Sequence, residues 1–467
     1  MAGERPDVVL VVFDTARRDR FGCYAHAAPT TPTTDSLAAT GTLAETMISN
    51  APWTLPSHAS LFTGLYPSEH GAQWQTGRRL SQRVELTLAE FLRGLGYQTV
   101  CATSNALISA GTGLARGFDR HTHRSDLERG WREKVRQVRK VVGGGDSGGD
   151  VINEWIRRQV GAIRRPLFLF VNYLECHWPY APPRRLHREV GGLRFGPADD
   201  IRYRMSLARR VGPWEAIGTA DEETLAVYSA LYDGEHRNVD RHLANLLGIL
   251  ESAGHLRSGE AIVMVTSDHG EHIGEHGLAD HQASLDDHLV RVPFVAWGPG
   301  IVPTARRTGT YEFVDVLPSL ARSLGGELPV ASLAERRSDL FTPNGGSAGD
   351  GLSFAEWKAW GPEDLARVSA RHPSFDFSPL VRDLVCVRSD RFKLVRSGDG
   401  REQLFDLEAD PGEDRDVSGA HVDVAARLRT ALDRRLETWR SSAEEAPALS
   451  GDQEAEIERH LTELGYA

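Results

Sequence analysis

Residues 52–64 read PWTLPSHASLFTG, the pattern of a short helix with a defined start and a defined end. Pro56 suits the first helical turn, where its missing N–H costs no hydrogen bond, and Gly64 suits the position that ends a helix. Thr54 would then lie at the helix N-terminus, where free amides and the helix dipole favour a developing negative charge. His58 follows four residues later and shares a face with Thr54. The pair can form a nucleophile site, but taken alone Thr54 is more simply interpreted as an ordinary helix cap.

The composition is that of an ordinary globular protein and excludes several function classes. The chain has 467 residues, of which 40% are hydrophobic and 25% charged, so it can bury a large core. Its net charge of −11 argues against nucleic acid or an anionic membrane surface as the main partner. No apolar stretch approaches the length of a membrane span, so we expect no membrane association. Four single cysteines without a CxxC pair indicate reduced thiols in a cytoplasmic protein.

Polar residues follow several predicted strands at the point where each strand ends. Residues 7–13 read DVVLVVF, an unbroken apolar run typical of a central parallel strand, and Asp14 follows it. Asn105 follows a strand over 99–103, and His177 follows a strand over 167–174. In open α/β sheets ligands bind beyond the carboxyl ends of the strands, so these side chains are candidates for one site. Asp14 alone could equally be a helix cap.

A fourth strand end carries the clearest metal signal. The strand over 261–266 is followed by adjacent Asp268 and His269, in a segment with five histidines in twenty residues. Together with Asp14, this pair would supply two carboxylates and one imidazole, which suit Mn²⁺, Zn²⁺, Mg²⁺ or Ca²⁺. We interpret the other nearby histidines, His272, His276 and His288, as ordinary loop residues.

The order of the elements predicts two regions. Strands alternate with helices over residues 1–378, which predicts a largely parallel central sheet covered by helices, with variable segments near 120–150, 183–215 and 340–360. A helix is expected over 310–325. Residues 379–467 change to short strands with turns, typical of an antiparallel meander, followed by helices over 422–440 and 452–463. The basic residues of 120–142 could attract an anionic substrate, but a solvated helix face is the favoured interpretation.

The sequence resembles the sulfatase-like branch of the alkaline phosphatase superfamily over nearly its whole length. The resemblance is carried by VVFDTARRDRFGCY, NAPWTLPSHASLFTGLYPSEHG, HWPYAPP, TSDHGEHIGEHG, RVPFVAWGPG and DRFKLVRS. It implies an α/β/α sandwich with a largely parallel sheet, a small C-terminal sheet-and-helix subdomain, and one bound divalent metal ion. The metal ligands that map onto this chain are Asp14, Asp268 and His269, with Thr54 as a further ligand.

Several positions depart from the family pattern. Thr54 stands where sulfatases carry the cysteine or serine that matures to formylglycine, and oxidation of a secondary alcohol gives a ketone, so no formylglycine can form. His58 stands at the arginine of that motif, Asn105 and His281 stand at two lysines, and Thr15 stands at the second of two paired aspartates. The resemblance therefore implies a site with less fixed positive charge, in which Asn105 and Thr15 contact the substrate.

These departures lead to one main functional hypothesis. An ester on Thr54 cannot be released by elimination from carbon, so it must be broken by attack on phosphorus or sulfur. We expect hydrolysis of a small anionic ester, a phosphodiester or a phosphonate monoester, with Thr54 as the nucleophile and His58, His177 and His281 as further catalytic residues. The alternatives are a soluble transferase that passes the Thr54-bound group to a metabolite, a sulfate ester hydrolase without formylglycine, and an inactive metal-binding scaffold.

Overall fold

The computed structural model describes residues 5–73, 78–128, 145–190, 213–218, 220–256, 260–336, 338–342, 346, 351–373 and 375–442. Most of the predicted basic helix, much of the two later variable segments and the acidic helix predicted over 452–463 lie outside these residues. Among the described helices, none combines the length and the apolar character needed to cross a bilayer.

The strands form one large sheet and two small ones. In chain order they are β1 (Asp7–Phe13), β2 (Thr42–Ile48), β3 (Gln98–Thr103), β4 (Arg120–His123), β5 (Leu167–Tyr173), β6 (Ala261–Thr266), β7 (His272–Ile273), β8 (Ala279–Asp280), β9 (Arg291–Val292), β10 (Phe294–Trp297), β11 (Ala305–Glu312), β12 (Ser353–Trp357), β13 (Leu384–Arg388), β14 (Phe392–Ser397) and β15 (Glu402–Asp406).

The α-helices range from single turns to one helix of 31 residues. In chain order they are α1 (Pro32–Thr40), α2 (Thr54–Thr63), α3 (Pro67–His70), α4 (Leu88–Gly94), α5 (Arg124–Leu127), α6 (Gly149–Gln159), α7 (Arg184–Glu189), α8 (Pro213–Gly218), α9 (Glu222–Ser252), α10 (Asp287–Val290), α11 (Val316–Ser323), α12 (Ala331–Ala334), α13 (Pro362–Arg371) and α14 (Val422–Ser442).

The large sheet has nine strands in the order β11-β2-β10-β6-β1-β5-β3-β4, with β9 paired to β2. β1 lies in the middle and pairs in parallel with both β5 and β6. Every residue of these three strands is buried, which requires that both faces of the sheet be covered. One group of contacting helices comprises α1, α6, α7 and α9, and another comprises α2, α3, α4 and α11. The predicted α/β class with a largely parallel sheet is confirmed; β10 runs antiparallel to both of its neighbours.

The small sheet is the predicted antiparallel meander with one additional strand. It has the order β12-β13-β14-β15, and α14 lies against β13 and β14. Its own apolar core includes Val387, Leu394, Leu404 and Leu428. β12 precedes the predicted boundary at 379, so the four strands of this sheet come from both sides of that boundary.

The predictions missed strands at the edges of the sheets. β11 extends to Glu312, so the helix expected over 310–325 is wrong at its start, and α11 covers only Val316–Ser323. The sequence of β11, ARRTGTYE, alternates with polar residues because one side of this edge strand is partly exposed. β4 is another edge strand and reads RHTH. Without apolar periodicity, such strands give no clear signal in the sequence.

Glu356 joins the small sheet to the large domain. Its backbone N–H donates to the Asn50 carbonyl at 2.9 Å, and its Oε1 accepts the Ser68 N–H at 3.0 Å. The Ser68 hydroxyl donates to the other carboxyl oxygen. Burial raises the pKa of Glu356 from 4.5 to about 7. A protonated carboxyl group is thus favoured at this junction near neutral pH.

Glu356→Gln is expected to flatten the pH dependence of stability. Between pH 4.5 and about 7 the folded protein keeps the Glu356 proton and the unfolded chain releases it, so the free energy of unfolding falls as the pH rises. This rise in pKa corresponds to about 3 kcal/mol of unfolding free energy. We expect Glu356→Gln to lose about 3 kcal/mol less unfolding free energy than the wild type does between pH 4 and pH 8. Urea unfolding at both pH values measures this difference. The exposed Glu408→Gln is the control, and equal pH profiles for Glu356→Gln and the wild type would exclude the raised pKa.

Candidate active site

Four adjacent strands bring the predicted polar residues to one edge of the large sheet. The strand order β6-β1-β5-β3 places the carboxyl ends of these strands side by side. Asp14 follows β1, Asn105 follows β3, and Asp268 follows β6. All three side chains are fully buried. The expectation that polar residues at separate strand ends converge is therefore realised in the fold.

α2 brings Thr54 to the same place. The helix begins at Thr54, with Trp53 as the extended residue before it, and ends at Gly64 with a left-handed φ of 70°. Thr54 is thus the first residue of the helix and not its cap. Its Oγ1 lies 3.4 Å from Nε2 of His269 and 3.4 Å from Nδ2 of Asn105.

Two amides orient the Asp14 carboxyl group. Asn105 and Asn172 donate to its Oδ2 from Nδ2 atoms at 2.8 and 3.0 Å. Its Oδ1 is buried and has no hydrogen-bond partner among the described residues. Burial, together with the nearby Asp268 carboxylate, raises the pKa of Asp14, and the two amides act in the opposite direction. Asn172 was not predicted, although it is a polar residue in the otherwise apolar strand LFLFVNY, which was an available signal.

Asp268 is fixed through one oxygen. Its Oδ1 accepts the backbone N–H groups of Thr15 at 3.0 Å and of His269 at 2.9 Å. Its Oδ2 lies 3.2 Å from Nε2 of His269, outside hydrogen-bond geometry. Although burial acts to raise the pKa of Asp268, the His269 imidazole and the hydrogen bonds hold it below its usual range. Asp268 is therefore an oriented carboxylate.

The group formed by Asp14, Asp268 and His269 fits a divalent metal ion. One ligand atom from each residue lies within 4.8 Å of the other two. The 3.2 Å between the Asp268 and His269 atoms matches the spacing of about 3.3 Å between ligands with tetrahedral bonds near 2.0 Å. At the same place, one buried oxygen on each of Asp14, Asp268 and Thr15 has no hydrogen-bond partner in the part of the chain that the structure describes. Uncompensated burial of such atoms is costly, and a cation would satisfy them.

Thr15 adopts a backbone conformation that is rare for a β-branched residue. Its φ is +60°, in the left-handed region. Its N–H donates to Asp268, and its carbonyl accepts the Tyr232 hydroxyl, so neighbours hold it on both sides. Strained residues of this kind cluster at functional sites. The conformation aligns the Thr15 N–H with Asp268, while the hydroxyl, predicted to contact substrate, has no hydrogen-bond partner among the described residues.

His58 packs against Thr54 and Asp268. Its Nδ1 lies 2.9 Å from the Thr54 carbonyl and 3.6 Å from Oδ2 of Asp268. Its ring packs edge-on against Phe62 and Phe170, with centroids 6.0 Å away. Burial lowers the pKa of His58, which favours a neutral imidazole. His58 therefore braces the first turn of α2, and no direct contact with the Thr54 hydroxyl is formed.

His177 and His281 extend the site away from Thr54. The His281 ring is tilted against that of His269 at 4.3 Å, and the His177 ring meets His281 at 5.4 Å. Burial lowers the pKa of His177 to about 4. The Nδ1 of His281 lies 2.7 Å from Oδ1 of Asp280 and 3.3 Å from Oε1 of Glu271. Although burial opposes it, these carboxylates raise the pKa of His281 well above 6.5.

Asp280 and Glu271 were not predicted as site residues. Both are acidic residues within a segment crowded with histidines, but only the fold shows that they bracket one imidazole. Burial raises the pKa of Glu271 to about 7, and the His281 contact acts in the opposite direction.

Comparisons with known proteins identify the family. A family model described as Sulfatase matches residues 6–326, which is more than half of the chain. The choline-sulfatase of Rhizobium meliloti is 25% identical, with 88% of this chain and 82% of the relative covered. The multifunctional alkaline phosphatase superfamily protein PehA of Trinickia caryophylli is 24% identical, with 94% and 96% covered.

Solved structures share the fold. The crystal structure of the phosphonate monoester hydrolase of Agrobacterium radiobacter superposes with a TM-score of 0.69 at 22% identity, over 94% of this chain and 96% of that one. The family match and these likenesses confirm the resemblance found in the sequence motifs. The protein therefore belongs to the sulfatase family and is an ester-bond hydrolase of the alkaline phosphatase superfamily.

Proposed function

We propose that the protein hydrolyses a phosphodiester or a phosphonate monoester, with Thr54 as the nucleophile. The observation that carries this proposal is the placement of Thr54 Oγ1 at the start of α2, 3.4 Å from both His269 and Asn105. Helix N-termini favour anions, so negative charge that builds on Oγ1 or on a bound ester would be stabilised there. Among the described residues, this hydroxyl makes no closer hydrogen bond to a side chain.

A divalent ion held by Asp14, Asp268 and His269, with Thr54 as a further ligand, would supply Lewis acidity to the Thr54 oxygen and the ester. The residues of this chain then divide the remaining work. Asn105 donates to Asp14 and lies within reach of Thr54, so its amide fixes the position of the Asp14 carboxyl group relative to the Thr54 hydroxyl. Thr15 holds Asp268 through its N–H.

The reaction has two displacements at phosphorus. In the first, Thr54 Oγ1 passes its proton to solvent water and forms a bond to phosphorus as the bond to the leaving oxygen breaks, and protonated His281 gives that oxygen a proton. In the second, water bonds to phosphorus and passes its proton to His281, which the first step left neutral, while the bond from phosphorus to the Thr54 oxygen breaks and that oxygen takes a proton from solvent. His281 is suited to the acid role because Asp280 and Glu271 favour its protonated form.

The charge of the site supports a monoanionic substrate. Among the described residues, no lysine or arginine forms a hydrogen bond or ion pair with Thr54, Asp14 or Asp268. The Thr54 hydroxyl lies 3.4 Å from one amide, that of Asn105, and 3.4 Å from one imidazole, that of His269. A phosphodiester or phosphonate monoester carries one negative charge, which needs less fixed positive charge than the dianion of a phosphomonoester. The likeness to a phosphonate monoester hydrolase favours the same class.

A sulfate ester is the second candidate, because the family match and the similarity to a choline-sulfatase favour it. The two candidates are separated by measuring rates on nitrophenyl esters of four kinds with added Mn²⁺, Zn²⁺ or Ca²⁺: a phosphodiester, a phosphonate monoester, a phosphomonoester and a sulfate. A sulfate ester is also a monoanion, so the ground for the preference is that Thr54 lacks the release of sulfate by elimination that formylglycine allows. We expect kcat/KM for the diester or the phosphonate to exceed that for the sulfate by about 100-fold. Faster turnover of the sulfate would overturn the proposal.

His281→Ala is expected to slow the reaction most for substrates with poor leaving groups. An alkoxide needs a proton as it departs and nitrophenolate does not, so we expect about a 100-fold loss on an alkyl ester and a much smaller loss on the nitrophenyl ester. The kcat values for matched alkyl and nitrophenyl phosphonates measure this. His276→Ala is the control, since His276 binds Asp286 and the Gly412 carbonyl. Equal losses on both esters would exclude His281 as the acid.

A further inference from the structure

A second group of potential metal ligands lies where the start of α6 meets α9. Asp146 precedes α6, Asp150 lies in its first turn, and His242 projects from α9. One ligand atom from each of the three lies within 4.8 Å of the other two. From this geometry we propose that Asp146, Asp150 and His242 form a second divalent-cation site, separate from the group beside Thr54.

Both carboxylates lie close to the His242 imidazole, one at each of its nitrogens. Nε2 of His242 lies 3.4 Å from Oδ2 of Asp146, and Nδ1 lies 3.4 Å from Oδ1 of Asp150. Neither contact has hydrogen-bond geometry. Ligands held at about 2.0–2.1 Å from a tetrahedral ion are about 3.3 Å apart. An imidazole binds an ion through one nitrogen only, so one of these contacts has the spacing of a ligand pair, and the remaining carboxylate meets the 4.8 Å limit of the group from its own side.

The His242 imidazole is buried and held in place by its neighbours, and it does not use all of its hydrogen-bonding capacity. His242 is 0% exposed, and its Nδ1 has no hydrogen-bond partner among the described residues. A Cβ atom on Gly149 would lie 2.6 Å from the ring, so only glycine allows the loop to approach this closely. The ring also stacks on Tyr173 with centroids 5.7 Å apart.

The charges around His242 leave an excess that a divalent ion would neutralise. Glu175, which is fully buried, places its Oε1 3.7 Å from Nε2 of His242 and adds a third carboxylate to those of Asp146 and Asp150. Arg241 partly offsets these charges, with one guanidinium nitrogen 3.6 Å from Asp150 and 3.3 Å from His242. Arg124 donates to the Ser147 carbonyl at 2.9 Å in the same loop, so three carboxylates face two guanidinium groups.

The donor set favours Zn²⁺ or Mn²⁺ and a structural role. One imidazole and carboxylates suit borderline cations. Asp146 also accepts the N–H groups of Gly148 at 2.5 Å and Asp150 at 3.0 Å, so its carboxylate already orders the loop before α6. An ion here would tie that loop to α9, next to the end of β5.

The test is the zinc stoichiometry of the full chain. Protein stripped with a chelator is loaded with Zn²⁺, separated from free ion, and analysed for zinc by mass spectrometry. We expect two ions in the wild type, one in His242→Gln, and at least tenfold weaker binding of one ion in Asp150→Asn. The Asp150 side chain is 60% exposed, so this variant decides the question if His242→Gln fails to fold.

Asp268→Asn separates this inference from the proposed function. If Asp268→Asn loses an ion while His242→Gln and Asp150→Asn bind zinc as the wild type does, the second site is refuted and the first stands. If the two latter variants lose an ion and Asp268→Asn does not, the second site stands and the metal of the proposed function fails.

Discussion

Replacement of Thr54 by alanine is expected to abolish turnover, with kcat reduced by about 10⁴-fold or more. In the proposed mechanism the Thr54 hydroxyl forms the covalent ester, whereas the Ser57 hydroxyl in the same turn donates to the Asp268 carbonyl at 2.7 Å. The contacts of the Thr54 hydroxyl are long, at 3.4 Å to His269 and to Asn105, so its loss should change the thermal unfolding midpoint by no more than a few degrees. Initial rates on the preferred phosphorus ester and a thermal melt measure both effects.

Two variants control this experiment. Thr54→Ser keeps the hydroxyl and should retain measurable turnover. Thr63→Ala removes a buried hydroxyl from the other end of the same helix, where it donates to the Ala59 carbonyl at 2.6 Å, and should leave kcat unchanged. Turnover by Thr54→Ala at the rate of the wild type would mean that another group, or water itself, attacks the ester.

Asp268→Asn is expected to remove the metal ion and to lower kcat/KM by about 10³-fold or more. Asparagine can still accept the N–H groups of Thr15 and His269 through its oxygen, so the local backbone is preserved. It replaces the charged Oδ2, which lies 3.2 Å from Nε2 of His269, by a neutral amide that cannot bind a cation. Metal content and activity, measured over graded Mn²⁺ and Zn²⁺ concentrations, test this expectation.

The matched control is Asp240→Asn. Asp240 is also fully buried and also accepts backbone N–H groups, from Thr33 and Thr34 at 2.8 and 2.9 Å, but it lies in none of the candidate metal groups. It should keep its metal and its activity. If chelation left the wild type fully active, or if Asp268→Asn kept both metal and turnover, the role of Asp268 as a metal ligand would be wrong.

The sequence predicted the parts of the site that depend on strand ends. Asp14 and Asp268 could be found because each follows an unbroken apolar strand, and parallel neighbours bring such ends together. Thr54 could be assigned to the helix N-terminus because Pro56 marks the first turn of the helix and Gly64 marks its end. Asn172 was missed because its role depends on the register of β5 against β1, where it pairs with Val12.

The partners of His281 and the edge strands could not be found in the same way. Asp280 and Glu271 meet His281 only because the chain turns back through β7 and β8, which are strands of two residues each. β4 and β11 are edge strands with partly exposed residues, so they lack the apolar runs that mark β1 and β6. Contacts of this kind depend on tertiary packing, and local patterns in the chain do not encode them.

The stereochemical course at phosphorus tests the central claim most directly. A chiral phosphorothioate diester, hydrolysed in water enriched in ¹⁸O, reports the number of displacements even if no intermediate accumulates. Attack by Thr54 followed by attack by water inverts the phosphorus centre twice, so the proposed mechanism predicts net retention. Net inversion would show a single direct attack by water and would contradict a covalent ester on Thr54.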